Sequence, residues 1–329
     1  MIFQETSSKI LYYPNLHNSF SEIRGFCSPS GGSDPDLGFL KSIQEISGYL
    51  IIMHSNVNRI PLSNLRVIRA NNGGYKIHDE LDSAAMIIRK NYKDGETLKH
   101  VDLRNLKSIV RGSVYIYDNP GLKYLPDSIY WTELFESIGE QSFYNQKLIE
   151  TNSYSDNNVS IDLHLYEHNP HDSEPQPLST SVKSTCSKLC PKINNQTYCW
   201  GSSSLQCQHQ SKCQNLLCNR CLKNGSSYVC CHEQCLGGCT GPLASQCMSC
   251  KKYFNSGTCV AHCPARTLIQ GGKLIVNPEF KYRLGNLCLP VCPEGLMVEG
   301  DVCVTHCSKG SMSTDGRVCI PCQDKCPKC

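Results

Sequence analysis

The sequence predicts a mainly β protein in two unlike parts: a short solenoid of β-strands, then a run of small modules held by cysteine cross-links. Three observations carry this. Of the 24 cysteines in 329 residues, only Cys27 lies before residue 186, so 23 fall in the last 144 positions. In that stretch Leu, Ile, Val and Phe number 27 of 144, too few to offset the entropy of ordering so long a chain through an ordinary core. The part before residue 150 instead contains a loose internal repeat with an apolar strand in each unit.

The repeat is plainest in Leu40-Lys41-Ser42-Ile43 and Leu106-Lys107-Ser108-Ile109. Gly48-Tyr49-Leu50-Ile51-Ile52 follows the first and Gly112-Ser113-Val114-Tyr115-Ile116 the second, so each unit ends in β-favouring residues. Ile60-Pro61-Leu62 and Leu65-x-Val67-Ile68 predict a further strand of the same type between them. Units with Leu at intervals of three and a short strand per turn suit rungs stacked so that each buries its neighbour's apolar face. Asn71-Asn72-Gly73-Gly74 and Asp118-Asn119-Pro120-Gly121 are corner turns. Residues 79–90 predict a helix packed along the rungs, because Leu81, Ala84, Ala85 and Ile88 share a helical face. From 150 to 185 the composition turns to Ser, Asn, His and Pro. Pro170, Pro175 and Pro177 there predict a linker or surface loop.

Several function classes are excluded. A net charge of +3 with interspersed acidic and basic residues gives no basic stripe, and therefore no nucleic-acid partner. Apolar runs such as residues 49–53 are far too short to span a bilayer. The first sixteen residues lack the continuous apolar core of a secretory signal, so a disulfide reading expects a leader upstream of Met1. Glycine-rich phosphate loops, kinase catalytic loops and nucleophile elbows are all missing. No catalytic residue and no cofactor are expected within this chain.

From Cys186 onward short and long gaps between cysteines alternate. Such spacing suits consecutive modules closed by bridges contributing roughly 2 to 4 kcal/mol apiece. Zinc is the alternative, since Cys218-x2-Cys221, Cys247-x2-Cys250, Cys319-x2-Cys322 and Cys326-x2-Cys329 have knuckle spacing. The vicinal Cys230-Cys231, the scarcity of His partners and sequons at Asn158, Asn195 and Asn224 favour secretion and disulfides.

Cys199-Trp200-Gly201, Cys230-Cys231-His232-x2-Cys235-x3-Cys239-Thr240-Gly241-Pro242, and Val276-Asn277-Pro278-Glu279-x-Lys281-Tyr282 with Gly285 and Cys288 resemble the furin-like cysteine-rich region of epidermal growth factor receptors. "Furin-like" names cysteine modules and implies no protease. Phe39-Leu40-Lys41-x-Ile43-Gln44-Glu45-x2-Gly48-Tyr49, Arg59-Ile60-Pro61-Leu62-x-Asn64-Leu65 and Ile129-x-Trp131 resemble the receptor L domain that precedes it. Insulin receptors are similar in plan, but the stretch from Val276 to Tyr282 favours the epidermal growth factor branch. The resemblance implies a degenerate or truncated segment over 1–35, a receptor L domain over 36–149, a linker or insertion over 150–185 and the furin-like region over 186–329. It implies a short right-handed β-solenoid followed by an extended disulfide-linked rod.

If the family's pairing carries over, the bridges are Cys186 with Cys199, Cys190 with Cys207, Cys213 with Cys221, Cys218 with Cys230, Cys231 with Cys239, and Cys235 with Cys247. Cys250 with Cys259, Cys263 with Cys288, Cys292 with Cys303, Cys307 with Cys319, and Cys322 with Cys326 complete eleven. Cys27 and Cys329 are left for partners outside the sequence, and a further family bridge is lost at both ends, with Lys123 at one of them.

Between Cys263 and Cys288, Leu268, Ile269, Leu274 and Ile275 flank Gly271-Gly272, a hairpin signal. With Tyr282, these residues resemble the family's dimerisation arm, with a tip two residues shorter and without an aromatic. The ligand face implied for the L domain is His54, Ile88, Arg89 and Lys90, with His54 where the family has an apolar contact. A strand expected to supply much of that face has no room between Cys27 and Leu40. Trp200 is implied as the anchor of the first cysteine module in the L domain, and Trp131 as a core residue. The partners implied are an epidermal growth factor-like ligand and a second receptor, with membrane attachment only through a span outside this sequence. ATP and Mg would belong to a kinase domain also outside it. A secreted, kinase-free decoy and an intracellular zinc protein are the competing readings.

Overall fold

A computed structural model of the chain describes residues 19–23, 35–71, 74–76, 83–93, 95–125, 128–135, 148–151, 185–209, 213, 218, 220–313 and 315–322. The chain divides into two compact units, Met1–Ser211 and Lys212–Cys329. Regular structure among the described residues is almost entirely β, apart from short 3-10 turns such as Gly38–Ser42 and Trp131–Glu133.

The first unit carries β1 (Ser19–Ile23), β2 (Glu45–Met53), β3 (Arg59–Ile60), β4 (Val67–Ile68), β5 (Tyr75–Lys76), β6 (Ser83–Arg89), β7 (Tyr92–Lys93) and β8 (Glu96–Thr97). Then come β9 (His100–Val101), β10 (Ser108–Ile109), β11 (Ser113–Tyr117) and β12 (Leu148–Thr151). Pairing recurs in parallel from one pass of the chain to the next. Glu45 and Ile46 pair with Val67 and Ile68, which pair with Ser108 and Ile109. The second half of β2 pairs with β6, β6 with β11, and β11 with β12, while β3 and β9 form a separate ladder. A parallel pair needs a long return connection, and each rung of a solenoid supplies one. The pattern fits a short β-solenoid. Strand β1 runs parallel to β2 and carries the sheet to residue 19, ahead of the residue-36 start expected from sequence.

The Leu spacing has a local cause. Backbone N–H groups of Leu40, Leu65 and Leu106 donate to the carbonyls of Leu37, Leu62 and Leu103, closing one tight turn per rung with both leucines inward. Ile43, Ile68 and Ile109 follow at matching positions in the same core, with Leu50, Ile52, Met86, Ile88, Val114 and Ile116 from the long strands.

Residues 79–90 correct an expectation: 83–89 form the strand β6, not part of a helix. Ala84 through Ile88 are all buried, Met86 and Ile88 in the main core and Ala84 and Ile87 in a second cluster with Ile51 and Tyr115. A strand covered on both faces shows no two-residue alternation, so its run admits a helical reading.

The first cysteine module, with β13 (Lys192–Ile193) and β14 (Gln196–Thr197), belongs to the first unit. The second unit is a series of hairpins: β15 (Cys221–Asn224) with β16 (Ser227–Cys230), β17 (Cys235–Cys239) with β18 (Cys247–Cys250), and β19 (Tyr253–Asn255) with β20 (Thr258–Val260). Next are β21 (Thr267–Gln270) with β22 (Lys273–Val276), β23 (Tyr282–Leu284) with β24 (Leu287–Leu289), β25 (Met297–Glu299) with β26 (Val302–Val304), and β27 (Ser311–Ser313) with β28 (Cys319–Pro321).

Ten disulfides join pairs of described cysteines, and each joins the partners that the resemblance implies, from Cys186–Cys199 to Cys307–Cys319. Cys322 is also disulfide-bonded, while Cys326, Cys329 and Cys27 lie outside the described residues. The sulfurs of Cys218, Cys221, Cys247, Cys250 and Cys319 are thereby joined to other cysteines, which removes the zinc reading of those pairs.

A local motif recurs in two modules. In Gly201-x4-Gln206-Cys207 and Gly241-x4-Gln246-Cys247, the Gln side chain folds back to within 2.3 and 2.2 Å of where a Cβ on each glycine would stand. The two Gln carboxamide oxygens accept from the backbone N–H groups of Ser203 and Leu243. Only glycine leaves room for that return.

Candidate functional site

Four successive single-bridge modules close loops with sequence separations of 9, 25, 11 and 12. The excess in the second is the β21–β22 hairpin. Gly271 and Gly272 have φ of 58° and 77°, as a two-residue hairpin turn of the primed type requires. This turn fixes the register: Leu268 opposes Ile275 and Ile269 opposes Leu274. Ile269, Leu274 and Val276 therefore share one face and Leu268 and Ile275 the other. The first three are 77%, 73% and 78% exposed, against 45% and 38% for the second pair. The hairpin forms a two-stranded sheet of its own, and among the described residues no other strand pairs with it.

Its base is heavily tied. Asn277 donates its backbone N–H to the Arg266 carbonyl and its side-chain amide to the Ala265 carbonyl. Lys281 Nζ donates to Asn255 Oδ1 at 2.7 Å. The Arg266 guanidinium lies 4.5 Å from the Phe280 ring centre and reaches Asp301 Oδ1 through Nη2 at 3.0 Å and Nε at 3.1 Å. Tyr282 lies in β23, edge-on to Phe280 at 4.7 Å, so it belongs to the base rather than the tip.

In the first unit, the long strands end at His54, Lys90 and Asp118, all in the left-handed region with φ of 51°, 49° and 56°. An asparagine ladder holds these corners. Asn91 Nδ2 donates to the Ile52 carbonyl and to Asn119 Oδ1, and Asn91 Oδ1 accepts from the Ser55 N–H. Asn119 Nδ2 donates to the carbonyls of Ile88 and Tyr117. Burial, then the positive charges of Lys90 and Arg89, lower the His54 pKa, and Asp118 partly opposes them. Arg89 lies 5.0 Å from the Tyr117 ring centre. Ile88 corrects the expected ligand face: it is fully buried in the core, because strand alternation turns it opposite to its neighbours. His54, Arg89 and Lys90 remain at the corner.

Trp200 sits in the solenoid's core, its ring 6.3 Å from that of Trp131 and nearly perpendicular to it. The Gln208 carboxamide clamps the Tyr130 backbone, accepting from its N–H at 2.8 Å and donating to its carbonyl at 3.0 Å. Cys199 N–H donates to the Ser128 carbonyl.

Comparison with known proteins agrees with this layout. A family model described as the furin-like cysteine rich region matches residues 173–329, and one described as the receptor L domain matches residues 15–135. Together they mark most of the chain as a receptor L domain followed by a furin-like cysteine rich region. Similar proteins include the receptor tyrosine-protein kinase erbB-2 of Rattus norvegicus, 29% identical over 90% of this chain and 22% of that protein. The human receptor tyrosine-protein kinase erbB-4 is 30% identical over 89% of the chain and 20% of its own length. The epidermal growth factor receptor of Gallus gallus is 30% identical over 89% of the chain and 37% of its own length. The chain thus spans about a fifth of the length of the first relatives it matches.

Two expected sequons lie on hairpin turns: Asn195 is exposed between β13 and β14, and Asn224 is exposed at the end of β15. Asn158 lies outside the described residues. Sequence reasoning missed Arg266, Gln208 and the asparagine ladder, which depend on contacts between distant segments.

Proposed function

We propose that this chain is part of the ectodomain of a receptor tyrosine kinase, contributing growth-factor binding and receptor dimerisation, with β21–β22 as the arm that engages a second copy. One observation carries the reading: Ile269, Leu274 and Val276 form an apolar face that its own module leaves open. An apolar hairpin folded back on its module would have those side chains covered; exposed, they suit a partner surface, and identical arms suit a two-fold contact. Ligand held by the L domain, with His54, Arg89 and Lys90 at its edge, would shift the population toward arm-exposed receptors, and paired arms would bring two kinase domains together. Asn195 and Asn224 are the proposed glycosylation sites on this ectodomain.

The test replaces Leu274→Asp together with Ile275→Asp in the full chain, one change on each face of the hairpin. Sedimentation equilibrium is expected to show self-association for the wild type and none for the variant, with the disulfides unchanged by mass. Equal association of both overturns the arm.

A further inference from the structure

The arm differs from the hairpins on either side of it in how it is supported. Strands β19, β24, β23, β26 and β25 continue one another in a shared sheet through Phe254 with Leu287 and Arg283 with Val302. Among the described residues, strands β21 and β22 have no such continuation, so their direction is set where they leave the module. Among the contacts there, one side chain reaches into the following module. Arg266, the residue before β21, lies against both aromatic rings of the following segment, 4.5 Å from Phe280 and 5.8 Å from Tyr282. It then reaches into the next module, to Asp301 Oδ1 and the Gly300 carbonyl. Asp301 occupies the turn between β25 and β26, and its own carbonyl accepts from the Arg283 N–H at 2.8 Å. The module boundary is therefore crossed twice at the same turn, once by backbone and once by Arg266.

We infer that Arg266 is a positioning residue that locks the direction of the arm to the module after it, through Asp301 on one side and the Phe280 and Tyr282 rings on the other. This rests on the arm reading and deepens it. The pair is half-exposed, at 52% and 41% of the two side chains, and such pairs contribute little to folding stability. Geometry is what it supplies: two bonds to one carboxylate oxygen and a ring stack fix a planar guanidinium in orientation as well as position. An arm held in one direction loses less freedom on meeting its partner than one that swings about its base. The hydrogen bonds that Arg266 donates to Asp301 also hold its pKa above its ordinary value.

The experiment compares the full chain with Arg266→Ala, Asp301→Ala, and the exchanged pair Arg266→Asp with Asp301→Arg. Amide hydrogen exchange of β21 and β22 is read at dilution, and self-association is read separately. Each single variant is expected to speed exchange in β21–β22 by roughly threefold to tenfold and to weaken association by a similar factor, with exchange in β19–β20 unchanged. Partial recovery in the exchanged pair supports the lock. Unchanged β21–β22 exchange in both single variants overturns it, whatever the association does. If the Asp variants at Leu274 and Ile275 leave association intact, the arm reading falls, and the exchange measurement still decides whether Arg266 orders the hairpin.

Discussion

Asn91 shows how much of the solenoid rests on single side chains. It is fully buried, and its three hydrogen bonds reach the rung before it and the rung after it. Written as Asn91-Tyr92 and Asn119-Pro120, the same residues read as turn punctuation, because the stacking that gives them partners is not local. Histidines set a second residue-scale property. His54, His100 and His209 all have lowered pKa values, first from burial and then from nearby Lys and Arg side chains: Lys90 and Arg89 for His54, Arg59 for His100, Lys107 for His209. A histidine with a lowered native pKa takes up its proton more readily when unfolded. As pH falls below about 6.5 the unfolded state is favoured, and the loss is complete only below the native pKa values. The melting temperature of the first unit, followed by tryptophan emission, is therefore expected to fall between about pH 7.5 and pH 5.5. Replacing the three histidines with Gln should flatten that dependence; an undiminished slope would assign it to other groups.

At the scale of elements, the rungs were legible where local sequence and packing agree. The repeated Leu-Lys-Ser-Ile tetrapeptides mark equivalent turns, and the glycine pair in the long interval between Cys263 and Cys288 marks a hairpin. Strand β6 was not legible, because Ala84 to Ile88 are covered on both faces and periodicity cannot separate a buried strand from a helix. The apolar face of the arm was only half legible: the sequence identifies the apolar residues, but the register set by the two-residue turn decides that Ile269 joins Leu274 and Val276. The anchor loop is an element whose role follows from one residue. Trp200 fills the core beside Trp131, while Gln208 and Cys199 bond to the rung at 128–130. Trp200→Ala is expected to destabilise the first unit by about 3 to 5 kcal/mol, the range for removing a buried aromatic. Urea unfolding read through the remaining Trp131 measures it. A loss under 1 kcal/mol would mean that the loop docks through its hydrogen bonds.

Across the whole molecule, the two units are stabilised by different means, so a single reagent should separate them. Residues 35–135 contain no cysteine, and their core is a continuous cluster of Leu, Ile, Val and Trp side chains. Among the described residues of the second unit the buried apolar set is almost entirely sulfur: Cys231, Cys235, Cys239, Cys250, Cys259, Cys288, Cys303 and Cys319, with Leu236. Hairpins of three to five residues per strand are at best marginal alone, and bridges contributing roughly 2 to 4 kcal/mol apiece make up the difference. Full reduction followed by alkylation removes that contribution without touching the solenoid's own rungs. Amides of β2, β6 and β11 are expected to stay protected from hydrogen exchange, while those from 220 to 322 exchange at the rate of an open chain. Trp200 should gain exposure, since Cys186–Cys199 and Cys190–Cys207 close the loop that carries it, while Trp131 stays buried. Loss of protection in β2, β6 and β11 together with the second unit would show instead that the solenoid depends on the disulfides of the module docked against it.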